Sequence, residues 1–244
     1  MSGTNGIVIS GMKYKESSKI LTVYTEDLGK IRVLAQGVLK PKSGAMASTE
    51  VFALSSWNFK RGKSFYYIES VDLIDSFYTI RNSMERMLFG FYALELLDKS
   101  TPDEEENLVL FSLLEKFMTI LKNEDNLLAL IVAYEIKFAS FIGYRPHLDS
   151  CLTCGNKNSD IWEFDGTKGG ILCPTCSGSG RDRISQLEKD QMISLLMSKL
   201  EDVRKLDISE STLWRFHKRL SEYLLYNLDI RELKSLSMIG QGLL

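Results

Sequence analysis

A chain of 244 residues with 44% hydrophobic and 25% charged side chains has the composition of a folded globular protein and the length for a real core, which excludes disordered and collagen-like classes. No apolar run reaches the about 18 residues of a bilayer span, and the start MSGTNGIVISGMKYKES lacks the basic and apolar stretches of a secretory leader, so a cytoplasmic protein without membrane attachment is expected. The formal net charge of −2 hides an asymmetry: residues 1–63 hold ten Lys or Arg against four Asp or Glu, and residues 64–244 hold twenty against twenty-eight. The first part is basic and the rest acidic, which directs a polyanion to the N-terminal piece, although a merely solvated basic surface has the same composition.

From Ile7 to Leu73 apolar and polar residues alternate with the period of a sheet, in short runs broken by turns. In Lys30-Ile31-Arg32-Val33-Leu34-Ala35 the pleat places Ile31, Val33 and Ala35 on a core face and Lys30, Arg32 and Leu34 on a basic one. Asp27-Leu28-Gly29 and Lys60-Arg61-Gly62 put glycines where hairpins commonly need positive φ. Gly37 to Ala47, with Pro41 and Gly44, is read as a loop that carries Lys40 and Lys42. About five short strands in this span predict a small closed barrel; an OB-fold and an SH3-like barrel both fit.

After Thr79 the period becomes helical, starting with Met84, Met87, Leu88 and Phe91. A second stripe runs through Leu110, Leu113, Leu114, Phe117 and Leu121, and a third through Leu127, Leu130, Ile131, Tyr134, Phe138 and Ile142. Pro102 separates the first two, Asn123 to Asn126 the next two, and Gly143 with Pro146 ends the third. Ser185-Gln186-Leu187-Glu188 has capping-box spacing and opens a fourth helix, and Leu213, Phe216, Leu220 and Leu224 mark the inner face of a fifth. All of these stripes are expected to be core.

The sharpest motif is Cys151-x2-Cys154 followed by Cys173-x2-Cys176, which uses all four cysteines of the chain. Two such knuckles can set four thiolates tetrahedrally around one Zn²⁺, and a closed site of this kind has no open position for substrate, so one structural zinc is expected. His147, just before Cys151, could replace a thiolate, but a surface histidine is the simpler reading. A redox disulfide is disfavoured in a cytoplasmic chain.

Basic residues form a second constellation: Lys13, Lys15, Lys19, Lys30, Arg32, Lys40, Lys42, Lys60, Arg61 and Lys63, interleaved with Tyr14, Tyr24, Trp57 and Phe59. Of these, Lys13, Lys19, Arg32, Lys40, Lys42, Lys60, Arg61 and Lys63 are the candidates for gripping DNA phosphates, while Trp57 and Phe59 share a pleat face and are expected in the core. A third group, Arg215, Lys218 and Arg219, lies opposite the apolar side of the fifth helix, as a solvated face or as a second anion site for DNA or an acidic peptide. No nucleophile elbow, phosphate-binding glycine loop or paired catalytic carboxylates are legible, so no enzymatic activity is expected.

The segments Gly6-Ile7-Val8-Ile9, Tyr14-Lys15-Glu16-Ser17-Ser18-Lys19-Ile20-Leu21-Thr22-Val23-Tyr24-Thr25 and Gly29-Lys30-Ile31-Arg32-Val33-Leu34-Ala35-Gln36-Gly37 resemble the opening of RecO proteins. The likeness continues through Pro41-Lys42-Ser43, the helical body with its CxxC pairs, and Arg231-Glu232-Leu233-Lys234-Ser235. Gln36 departs from it, since the family usually has a basic residue there. The resemblance implies an α+β multi-domain chain: an all-β OB-fold barrel over 1–80, then an all-α helical domain over 81–146 and 183–244, with a four-cysteine zinc ribbon inserted over 147–182. It also implies a recombination mediator in RecF-pathway repair of DNA damage. Such a protein binds single- and double-stranded DNA and anneals complementary strands. With RecR it helps to load RecA onto DNA coated by single-strand-binding protein, whose acidic C-terminal tail would meet Arg215, Lys218 and Arg219. A cytoplasmic, nucleoid-associated location follows from that role. A zinc-ribbon transcription or translation factor would share the same parts, and an enzyme using the cysteines is a more distant alternative.

Overall fold

The computed structural model describes residues 3–178, 180 and 182–242, which form two compact units: one from the described residues up to 124 together with those from 233 onward, the other from those between 125 and 232.

In the first unit, β1 (Thr4–Tyr14), β2 (Ser18–Thr25), β3 (Gly29–Ala35), β4 (Leu54–Arg61) and β5 (Tyr66–Asp75) close into a barrel in the order β1-β2-β3-β5-β4. Only β3 and β5 run parallel, through Val33↔Tyr66 and Leu34↔Tyr67. This is the OB arrangement, a five-stranded Greek-key barrel. The alternation read from the sequence is the one that fills it: Ile31, Val33 and Ala35 point inward with Val8, Leu21 and Val23 and meet Trp57, Phe59 and Tyr66. Trp57 and Phe59 stack with centroids 5.4 Å apart, and the indole N–H donates to the Gly6 carbonyl at 3.1 Å, so the ring's polar edge is satisfied inside.

The two hairpin glycines work differently. Gly29 has φ +63°, and a Cβ there would lie 2.0 Å from the Glu105 carbonyl oxygen, so both conformation and space demand glycine. Gly62 does not have the positive φ expected of it; its constraint is crowding, because a Cβ would come 2.5 Å from the Tyr67 ring.

The same unit holds α1 (Met84–Ser100), α2 (Leu108–Leu121) and α6 (Lys234–Gly242). Ser83 and Asn107 cap α1 and α2 by accepting from the N–H groups of Arg86 and Leu110. The α2 stripe is buried as read, but that of α1 is displaced: Met84 and Phe91 are exposed, and Leu88, Phe89, Tyr92, Ala93, Leu96 and Leu97 are inside. The cause is that α1 packs on several elements at once, including α2, α6 and β1, so its buried arc is wider than one heptad stripe and is centred elsewhere.

In the second unit, α3 (Leu127–Phe141), α4 (Gln186–Met197) and α5 (Glu210–Asn227) accompany a small sheet in the order β7-β6-β8, formed by β6 (Ile161–Asp165), β7 (Gly170–Leu172) and β8 (Arg183–Ser185). Asn126 caps α3, whose residues are buried almost all round, and the Ser185–Glu188 capping box opens α4 as the spacing predicts. Among the described residues no helix is long and apolar enough to cross a membrane.

Candidate metal centre and cationic surface

Cys151 and Cys154 lie in a turn closed by Gly155 N–H donating to the Cys151 carbonyl at 2.9 Å, and Cys173 and Cys176 lie in a second turn with the Cys176 N–H on the Cys173 carbonyl at 3.0 Å. Backbone pairing of Leu152 with Ile171 brings the turns together. All four sulfurs lie within 4.8 Å of one another, and Cys154 Sγ is 3.6 Å from Cys173 Sγ. A tetrahedral ion bonded to each thiolate at about 2.3 Å needs sulfurs about 3.8 Å apart, so the four can hold one metal ion.

The closeness of the four sulfurs drives the acidities of two thiols apart. Burial pushes the Cys151 thiol up, but the N–H groups of Cys154, Cys173 and Thr153 outweigh it and hold the pKa at about 6. Cys176 is pushed up to about 12, first by hydrogen bonds to the sulfurs of Cys154 and Cys173. One thiolate is stabilised and the next is resisted, which is the electrostatic condition that a bound cation relieves. His147 is outside the cluster: its backbone pairs with Gly169 and Ile171, and Nε2 lies 3.0 Å from Ser150 Oγ.

The basic barrel residues divide into two neighbourhoods. Arg32, Arg61 and Lys63 line one hollow with Lys30, Ser64 and Tyr66, where the start of β5 meets β3. At the β1–β2 hairpin, Lys13 is exposed opposite Lys19 in the register, and the following loop is tied there by Leu39 N–H on the Ser17 carbonyl and Gly37 N–H on Ser18 Oγ. Lys40 and Lys42 project from that anchored loop into solvent. Lys60 is exposed on β4 and does not line the hollow.

Several cations have partners that the sequence did not announce. Lys19 Nζ lies 2.7 Å from Glu50 Oε1. Lys30, read on the basic face of its strand, is 7% exposed, with Nζ donating to the carbonyls of Asp98 and Thr101 and lying near the carboxylates of Asp98 and Asp103. Arg61 pairs with Glu104 at 2.7 Å and sits over the Tyr66 ring. Of the four interleaved aromatics only Tyr14 is exposed, while Tyr24, Trp57 and Phe59 are core. The run Asp103-Glu104-Glu105-Glu106 beside this surface was missed; four successive carboxylates after Pro102 are its signal in the sequence.

The stripe on α5 is also not one open face. Lys218 is exposed, Arg215 is held by Glu188 Oε1 at 2.7 Å, and Arg219 is 7% exposed, bound through Nε to Asp182 Oδ2 at 2.8 Å and lying over the rings of Phe164 and Phe216. Arg219 is therefore an internal clamp, because the ribbon sheet covers its side of the helix.

These parts define an OB-barrel protein with a helical body and a four-cysteine centre able to hold a metal. Residues 1–77 match the family Recombination protein O N terminal, and residues 81–237 match Recombination protein O C terminal. Among curated proteins the chain is similar to the DNA repair protein RecO of Alkaliphilus metalliredigens, at 30% identity over 238 residues, 96% of this chain and 97% of that one. It is similar also to the DNA repair protein RecO of Syntrophomonas wolfei, at 34% identity over 209 residues, 84% of this chain and 83% of that one. The chain belongs to the RecO family of DNA repair and recombination proteins.

Proposed function

We propose that this chain is a recombination mediator that binds single- and double-stranded DNA through its barrel, anneals complementary strands and, with RecR, helps to load RecA onto DNA coated by single-strand-binding protein. The observation that carries the reading is the hollow where Arg32, Arg61 and Lys63 converge at the β4–β5 hairpin, on the side of an OB barrel commonly used for strands. Lys13, Lys19, Lys40, Lys42 and Lys60 extend the positive surface, and contact to phosphates alone gives binding without sequence preference. The four cysteines hold one structural zinc, since four thiolates favour that ion and leave no site for a substrate. The protein performs no catalysis in this reading and acts on DNA in the cytoplasm, at the nucleoid.

The segments 1–80, 81–146 with 183–244, and 147–182 serve respectively as DNA-binding module, helical body and zinc insertion. The acidic tail of single-strand-binding protein docks on the helical body, with Lys218 and the more loosely paired Arg215 as rim cations and Arg219 supporting the helix from inside.

Strand annealing with and without single-strand-binding protein tests the function. Arg32→Glu with Lys63→Glu should lower affinity for single strands at least tenfold, and affinity should fall with salt at a log–log slope near −2 if about three phosphates are neutralised. Annealing unaffected by these changes and insensitive to salt would remove the barrel from the mechanism.

A further inference from the structure

The link between α1 and α2 carries four successive exposed carboxylates, Asp103, Glu104, Glu105 and Glu106, and its backbone is locked onto the barrel. The Glu104 N–H donates to the Lys30 carbonyl at 2.8 Å, and Lys30 and Asp103 form a parallel β-bridge. Lys30 Nζ ties down the preceding residues through the Asp98 and Thr101 carbonyls at 2.6 and 2.7 Å. Gly29 leaves no space for a side chain under Glu105, and Glu104 itself is held at φ +59°. The segment is thus fixed beside the hollow of Arg32, Arg61 and Lys63, with Asp103 and Glu104 among the lining residues and Glu104 Oε2 on Arg61 Nη2 at 2.7 Å.

We infer that this acidic segment is a built-in competitor for the phosphate site, with Glu104 occupying Arg61 until a strand phosphate displaces it. The inference rests on the DNA-binding reading above. A carboxylate and a phosphate oxygen compete for the same guanidinium donors. The pair is exposed on both sides, 65% for Arg61 and 43% for Glu104, so it is exchangeable and raises the threshold for binding without blocking it. An isolated anion gains little from the exchange. A strand that engages Arg32 and Lys63 at the same time offsets the loss of one ion pair with several new contacts, so the device favours polyanions over single phosphates.

The salt dependence carries its signature. The exposed Glu104–Arg61 pair is screened as salt rises, so the advantage of removing it shrinks with ionic strength.

The test is fluorescence anisotropy of a labelled oligothymidylate with the full chain at several salt concentrations. Glu104→Gln should tighten binding roughly twofold to fivefold at low salt, the range of an exposed ion pair, and the gain should fall away at high salt as the pair is screened. Asp72→Asn removes a carboxylate of the same barrel at the far part of the β4–β5 ladder, opposite Ser56 instead of near Arg61, and should change affinity less. In an Arg61→Ala background Glu104→Gln should give no gain, because its effect passes through that guanidinium. An equal gain in that background, or from Asp72→Asn, would overturn the inference. Salt-dependent binding by the unaltered chain with no response to Glu104→Gln overturns this inference alone, whereas no binding by the unaltered chain overturns the DNA-binding reading with it.

Discussion

Arg219 of α5 and Asp182, six residues after Cys176, form a two-point ion pair, with Nη2 on Oδ1 and Nε on Oδ2. The arginine is 7% exposed and the aspartate side chain 45% exposed, so the two partners differ in what they lose when the pair is broken. Asp182→Ala strands a buried guanidinium and should cost about 3 kcal/mol, whereas Arg219→Met leaves a carboxylate that water can reach and should cost about 1 kcal/mol. Urea unfolding of the two variants checks the order; equal losses would mean that the clamp works by packing alone.

Metal analysis should return one tightly held zinc per chain. Cys154→Ser or a strong chelator should open residues 147–182 to proteases while leaving the barrel folded, because a structural site contributes its binding energy to the fold around it. A metal-free chain with unchanged protease resistance would refute the assignment.

His217 and Glu135 pair within the second unit, Nδ1 to Oε1 at 2.9 Å. Burial alone pulls the imidazole pKa down, but the Glu135 carboxylate outweighs it, so the native value lies above the ordinary 6.5. A histidine raised in the folded state binds its proton more tightly there. Its contribution is complete below pH 6.5 and is lost as pH rises through the raised native value. Unfolding free energy should therefore decline from pH 6.5 upward through that value, and the decline should flatten in His217→Gln. A parallel decline in both would assign it to other groups.

Glu95 of α1 accepts from the N–H groups of Lys234 and Ser235 and from Ser235 Oγ, at 3.1, 2.9 and 2.6 Å, and so caps the start of α6 from a helix about 140 residues away. Burial pushes its carboxyl up, but these hydrogen bonds outweigh that and lower it below 4.5. A carboxylate depressed in the folded state stabilises above the unfolded value and loses that contribution as pH falls through the folded one. Hydrogen exchange at residues 234–242 should accelerate in strong acid, and Glu95→Ala should reproduce this at neutral pH at a cost of about 1–2 kcal/mol. Unchanged protection in the variant would show that α6 is held by its apolar face.

The strands of the barrel, the apolar stripe of α2, the start of α4 and the cysteine pairs were legible in the sequence because each is a local pattern. Alternation at period 2 assigns Ile31, Val33 and Ala35 to the core, a serine three residues before a glutamate opens α4, and cysteines at x2 spacing in two turns can hold a metal ion where those turns meet. The fates of individual charges were not legible. Lys30, Arg61 and Arg219 belong to the same residue classes as Lys13, Lys40 and Lys218, and nothing near them in the chain distinguishes the two sets. What separates them is a partner 37 to 73 residues away: Asp103 for Lys30, Glu104 for Arg61, Asp182 for Arg219. The arc that α1 buries was decided in the same way, by elements that reach it from elsewhere in the chain. Local periodicity records which face of an element is apolar; only the tertiary structure decides what covers that face, because burial and ion pairing depend on distances between segments that the chain order does not carry.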